Sequence, residues 1–99
     1  MVTKTIPAKP KKTSLRLFIE KSTRLLDEYS KELPYLESLM EVTKEDEIYS
    51  RWDKHLNLEY QKKISLIEER VQFIKEDIPI LSKSIENSKE SLKHLLNKD

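Results

Sequence analysis

Few residues in this chain combine type and spacing in a way that chemistry could use. The two histidines, His55 and His94, are 39 positions apart. Neither belongs to a His-Glu-x-x-His pattern, which would set two imidazoles on one zinc ion. His94 follows Glu90 by four residues, an ordinary charge pair on a helix face. His55 lies beside Trp52 and Leu56 and reads as a surface or seam-edge residue. Glu45-Asp46-Glu47 is a carboxylate run, but consecutive helix residues splay about 100° apart and do not converge on one cation. Cysteine and glycine are both absent. No thiolate site, disulfide, phosphate loop, dinucleotide fingerprint or nucleophile elbow can therefore be built. The expectation is a chain without catalytic residues, metal ligands or a cofactor.

The residues are spaced for association instead. Ile64, Ile67, Val71, Ile74, Ile78, Leu81, Ile85, Ser88, Leu92 and Leu95 follow one another by alternate threes and fours. This is a heptad seam, with a at Ile64 and d at Ile67, and such a repeat keeps one stripe facing a neighbouring helix. A second run comprises Leu15, Ile19, Ser22, Leu26, Tyr29, Leu33, Leu36 and Met40. Phe18, Leu25 and Leu39 precede three of its members by one residue and widen the stripe. A face of that width suits a bundle of three or more helices. Leu66, Phe73 and Ile80 recur every seven residues beside the first seam. They form either a second contact face or three unremarkable exposed side chains.

The predicted fold is all-α: a long coiled-coil helix with a shorter N-terminal helix, in a kinked helical hairpin. Residues 1–13 read as a disordered basic tail, because Pro7 and Pro10 interrupt it and it has few apolar groups. Residues 14–98 form the helical region. One helix is expected over 14–41, kinked at Pro34, and another over 44–97, kinked at Pro79. Thr43 would cap the second, with Asp46 returning a bond; the alternative is a helix running straight through. Ile48, Trp52, Leu56, Tyr60 and Ile64 are spaced by fours, which predicts a stutter before the strict heptads.

Charge narrows the partners. With 37% charged residues and a net charge of +1, no global pull toward nucleic acid or membrane is expected. Lys4, Lys9, Lys11 and Lys12 lie in the acid-free tail, so a basic-tailed nucleic-acid-associated protein is one alternative. No run of about 18 apolar residues spans a bilayer. In a parallel homodimer through the seam, Lys63 would attract Glu68, Arg70 would repel Lys75, and Asp77 would meet Ser82. A hairpin that joins different chains accounts for these pairs better. The expected partner-binding seam comprises Leu15, Ile19, Leu26, Leu36, Ile64, Ile67, Val71, Ile74, Ile78, Leu81, Ile85 and Leu92.

Two stretches resemble a known family. Leu17-Phe18-Ile19-Glu20-Lys21-Ser22, followed by Leu36, is similar to the N-terminal part of the fungal Bli proteins. Lys63-Ile64-Ser65-Leu66-Ile67-Glu68-Glu69-Arg70-Val71-Gln72-Phe73 is similar to their central helix block. These are interactor subunits of the biogenesis of lysosome-related organelles complex one. The resemblance implies a non-catalytic subunit of a rod-like hetero-oligomer in endosomal cargo sorting. It would be cytoplasmic, with other small coiled-coil subunits as partners and no small-molecule substrate. It would reach the endosome peripherally, through the complex. The alternative within the same class is a kinetochore or tethering assembly. Deleting residues 1–12 is expected to leave co-purification of partners unchanged, since that stretch has no periodic apolar side chains. Loss of the partners would refute the leader reading.

Overall fold

The computed structural model describes residues 11–97. Two helices account for nearly all of them: α1, Lys11–Tyr49, and α2, Lys54–Asn97. They fold back on each other as an antiparallel hairpin about 69 Å long. Pairs across the hairpin establish the direction. Glu47 meets Asn57, Glu32 meets Arg70, and Tyr29 meets Asp77, so α1 steps back as α2 steps forward.

Both seams face inward. Ile74 is wholly enclosed, and Tyr29, Leu36 and Ile67 are buried around it. Leu26, Leu33, Met40, Val71, Ile78 and Leu81 pack against this centre. Leu15, Ile19, Ile64 and Leu92 are half-buried, and Ile85 is buried. The twelve residues expected to grip partner chains therefore line the contact between the chain's own helices. A hairpin gives each helix one neighbour, and the most regular apolar stripe takes it.

The turn begins eight residues beyond the expected place. α1 does not end at residue 41; it runs through Thr43 to Tyr49. Thr43 is no cap. It is a buried seam residue whose hydroxyl donates to the Leu39 carbonyl at 2.7 Å. That bond within the helix satisfies the hydroxyl and lets a threonine occupy a core position. The heptad run continues past Met40 through Thr43, Glu47 and Ser50, all buried or half-buried. On α2 it reaches back from Ile64 through Tyr60 and Asn57 to Asp53, each half-buried. There is no stutter at the spacing of fours: Ile48, Trp52 and Leu56 are exposed, and Trp52 belongs to the turn.

At the other end, Lys11, Lys12 and Thr13 belong to α1 and not to a tail. The rest of the expected leader falls outside the described residues. Neither proline breaks its helix. Pro34 and Pro79 are exposed, so water can serve the carbonyl that each leaves without an N–H.

Truncating the enclosed side chain should be costly. Ile74→Ala is expected to destabilise the hairpin by about 2–5 kcal/mol. Glu69→Ala, at an exposed position, should stay within about 0.5 kcal/mol. Chemical denaturation followed by helical circular dichroism compares the two.

Candidate partner-binding surface

Helix geometry decides what the hairpin leaves uncovered. In an antiparallel pair the g row of one helix lies beside the g row of the other, and c flanks g on its outer side. The g row of α1 contains Phe18, Leu25, Glu32, Leu39 and Asp46; that of α2 contains Leu56, Lys63, Arg70 and Asp77. The structure brings the two together. Arg70 Nε and Nη2 donate to Glu32 Oε2 and Oε1 at 2.5 and 2.9 Å. Leu39, Lys63 and Leu66 share one shallow groove.

This side is rich in exposed apolar groups. Leu66 and Ile80 are 64% exposed and Phe73 is 52% exposed. Tyr35, Val42 and Tyr49, the matching c row of α1, are exposed as well. The opposite side is polar: Glu37, Glu41, Glu68 and Gln72 border its groove over Leu36, Met40 and Val71. The hairpin is thus a two-faced slab with one broad apolar side. Leu66, Phe73 and Ile80 are a face and not three scattered residues, because α1 continues them. The c row of α1 was the part missed, although its own spacing of seven was a usable signal.

A small aromatic and ionic cluster holds the middle of the broad side. The Tyr29 hydroxyl donates to Asp77 Oδ2 at 2.7 Å. The rings of Tyr29 and Phe73 meet edge to face, with centroids 6.5 Å apart. The Arg70 guanidinium lies 5.9 Å from the Tyr29 ring and 5.5 Å from the Phe73 ring. The hydrogen bond to Asp77, and then burial, raise the Tyr29 phenol above its ordinary value and keep it a donor at neutral pH. The hydrogen bond from Arg70 holds the Glu32 carboxyl below its usual range, against a smaller opposing effect of burial.

The turn end has its own lock and its own apolar groups. Asn57 Nδ2 donates to the Glu47 carbonyl, Glu47 Oε2 and Ser50 Oγ at 2.8, 2.6 and 3.2 Å. Arg51 pairs with the same carboxylate at 2.9 Å. Bonds from Arg51 and then from Asn57 lower the Glu47 carboxyl below its usual range. Asp53 Oδ1 caps α2 by accepting from the His55 and Leu56 amides. Outside this lock stand Ile48, Tyr49, Leu58 and Trp52, the last 81% exposed.

Among the described residues, no three of His, Asp and Glu gather where they could hold a metal ion. Both histidines are exposed, and the Glu45-Asp46-Glu47 run is divided, with Glu47 turned into the seam. No described helix is long and apolar enough to cross a membrane. No protein-family model, curated protein or solved structure matches the chain.

The Glu32–Arg70 pair gives stability a pH dependence of definite sign. A carboxyl whose pKa is lowered by folding stabilises the fold above its unfolded value and loses that contribution as pH falls through its folded value. Glu32→Gln should therefore be less stable than the parent at neutral pH. The gap should close as pH drops below the ordinary value of 4.5. Denaturation midpoints across a pH series test this, and a gap unchanged at acid pH would contradict it.

Proposed function

We propose that this chain is a non-catalytic coiled-coil subunit that assembles with other helical chains and helps to hold a larger complex together. The observation that carries this reading is the broad apolar side, rimmed by charge, with a second exposed apolar group at the turn. Monomers rarely leave such surfaces uncovered unless a partner takes them. The structure also shifts the reading. The regular seams close the hairpin itself, so partners would meet the outer c and g rows and the turn end. The stretches that resemble the fungal Bli proteins supply the finer proposal. The complex would be of the kind that organises lysosome-related organelle biogenesis, and the work would be cargo sorting at endosomes. Of the two stretches, the central block contributes Lys63, Leu66, Arg70 and Phe73 to the broad side.

The test separates the outer surface from the rest of the chain. Trp52→Ser, Leu66→Ser and Phe73→Ser are combined in one variant. A large apolar side chain fully buried at an interface contributes about 1.5–3 kcal/mol, and each 1.4 kcal/mol is about tenfold in affinity. The variant should stay helical, yet lose its co-purifying coiled-coil subunits and its endosomal position. Glu69→Ala with Gln72→Ala, on exposed positions away from that side, should keep both. Equal retention by the two variants would remove the basis for the reading.

A further inference from the structure

We propose that the open end of the hairpin, where α1 begins and α2 ends, docks directly on an anionic lipid bilayer, so that the rod stands with its turn away from the surface. This contact needs no partner chain, and it lies at the end of the molecule opposite the turn.

Charge is unevenly placed along the rod. The net charge of +1 conceals this, and only the fold brings it out. The register set by the Tyr29–Asp77 and Glu32–Arg70 bonds places residues 12–25 beside residues 82–97. α1 brings Lys12, Arg16, Lys21 and Arg24 to this end, against Glu20 alone. α2 brings Lys83, Lys89 and Lys93, against Glu86 and Glu90. The sequence leading into α1 adds Lys4, Lys9 and Lys11 and no acid. Residues 26–81, the rest of the rod, hold fourteen acidic and eight basic side chains.

Most of the cations at the open end are available. Arg24 pairs with Glu20 at 3.1 Å. Arg16, Lys21, Lys83, Lys89 and Lys93 are exposed and have no carboxylate partner among the described residues. An anionic bilayer attracts each Lys or Arg near it and repels each Asp or Glu. It therefore draws the open end in and pushes the acidic body away, which sets the rod upright.

Three apolar side chains favour a bilayer over other anions. Leu17 and Phe18 are 37% and 41% exposed, and Leu96 is 47% exposed. On α1, Lys21 and Arg24 follow Leu17 by one and two turns on the same outer face. Apolar groups bordered by cations fit the boundary between headgroups and acyl chains. There the ring and the leucines leave water while the cations stay among the phosphates. A nucleic-acid backbone would give them nothing to bury against. A helical partner would need the apolar c and g rows to continue. Here α2 has Ser84, Asn87, Ser91 and His94 in those rows, so on α2 the broad side ends short of the open end. A contact of this kind is weak and carries no address for one organelle; it would hold a chain that partners have brought to the membrane.

Flotation of the purified full chain with vesicles tests this. The chain should float with vesicles of equal parts phosphatidylserine and phosphatidylcholine, and high salt should release it. It should stay behind with phosphatidylcholine alone. Arg16→Glu, Lys21→Glu and Lys89→Glu combined should weaken binding about tenfold or more. Lys44→Glu, Lys54→Glu and Lys62→Glu combined change the net charge equally, within the acidic body, and should weaken it far less. All six positions are exposed, and circular dichroism should find both variants as helical as the parent. Trp52, the sole tryptophan, lies at the turn, and its emission should not shift on binding. No flotation, equal flotation without phosphatidylserine, or equal loss in the two triple variants overturns the proposal. A blue shift of Trp52 overturns it too, because the turn would then be the inserted end. Leu17→Ser with Phe18→Ser should weaken flotation. Tighter binding to duplex DNA than to the vesicles at the same salt, indifferent to that pair, would make the open end a nucleic-acid site instead. The assay contains no other subunit, so its failure and failure of the assembly reading are read separately.

Discussion

Two helices can bury only one stripe each against the other, and the rest of this molecule follows from that limit. Its apolar residues occupy more of each helix than one stripe. The a and d rows close the hairpin around Ile74, Tyr29, Leu36 and Ile67. Leu25 and Leu39 of the g row pack against the edge of that core, and the surplus in the c rows, with Phe18, remains outside. Antiparallel direction then collects the surplus of both helices on one side, because g lies beside g. In a parallel pair the same residues would be split between the two sides. The direction of α1 thus creates the broad apolar face as much as the sequence of α2 does.

Polar residues set the register that the apolar seam leaves loose. Leu, Ile and Val can slide by a heptad at modest cost, since one aliphatic contact resembles the next. Asn57 cannot: it serves three acceptors on Glu47 and Ser50 at the turn. Tyr29 cannot either, because its hydroxyl needs Asp77. A buried phenol without its acceptor would carry a desolvation cost of about 1–3 kcal/mol. These two fixed points, one at the turn and one near mid-length, allow a single alignment.

The sequence made the helices legible, and with them the α2 seam, because aliphatic residues at strict threes and fours have few other readings. It hid the turn. A connection of four residues, Ser50 to Asp53, contains neither glycine nor proline, and no described residue has a positive φ. It is built from tightened helical turns, such as Asp53 N–H to Ser50 C=O at 2.9 Å. Thr43 and Asp46 imitated a helix start better than Asp53 did. Glu47, Ser50 and Asn57 continue the heptads in polar guise, so counting apolar residues ended each seam too early. Once the turn was misplaced by eight residues, the register across the hairpin could not be read. Phe18, Leu25 and Leu39 then could not be seen to share a side with Leu66, Phe73 and Ile80.

The Asn57 lock also has a kinetic meaning. Its partners are only seven to ten residues away along the chain, whereas Tyr29 and Asp77 are 48 apart. Closing a short loop costs less entropy than closing a long one, and contacts near in sequence form early. The hairpin is therefore built to zip from the turn toward its open end, each seam residue docking beside one already held. Opening runs the other way. The ends near Lys11 and Asn97 part first, the Tyr29–Asp77 region later, and the turn last. A chain that zips in this order keeps its turn-end tryptophan in place while its free ends are still finding each other.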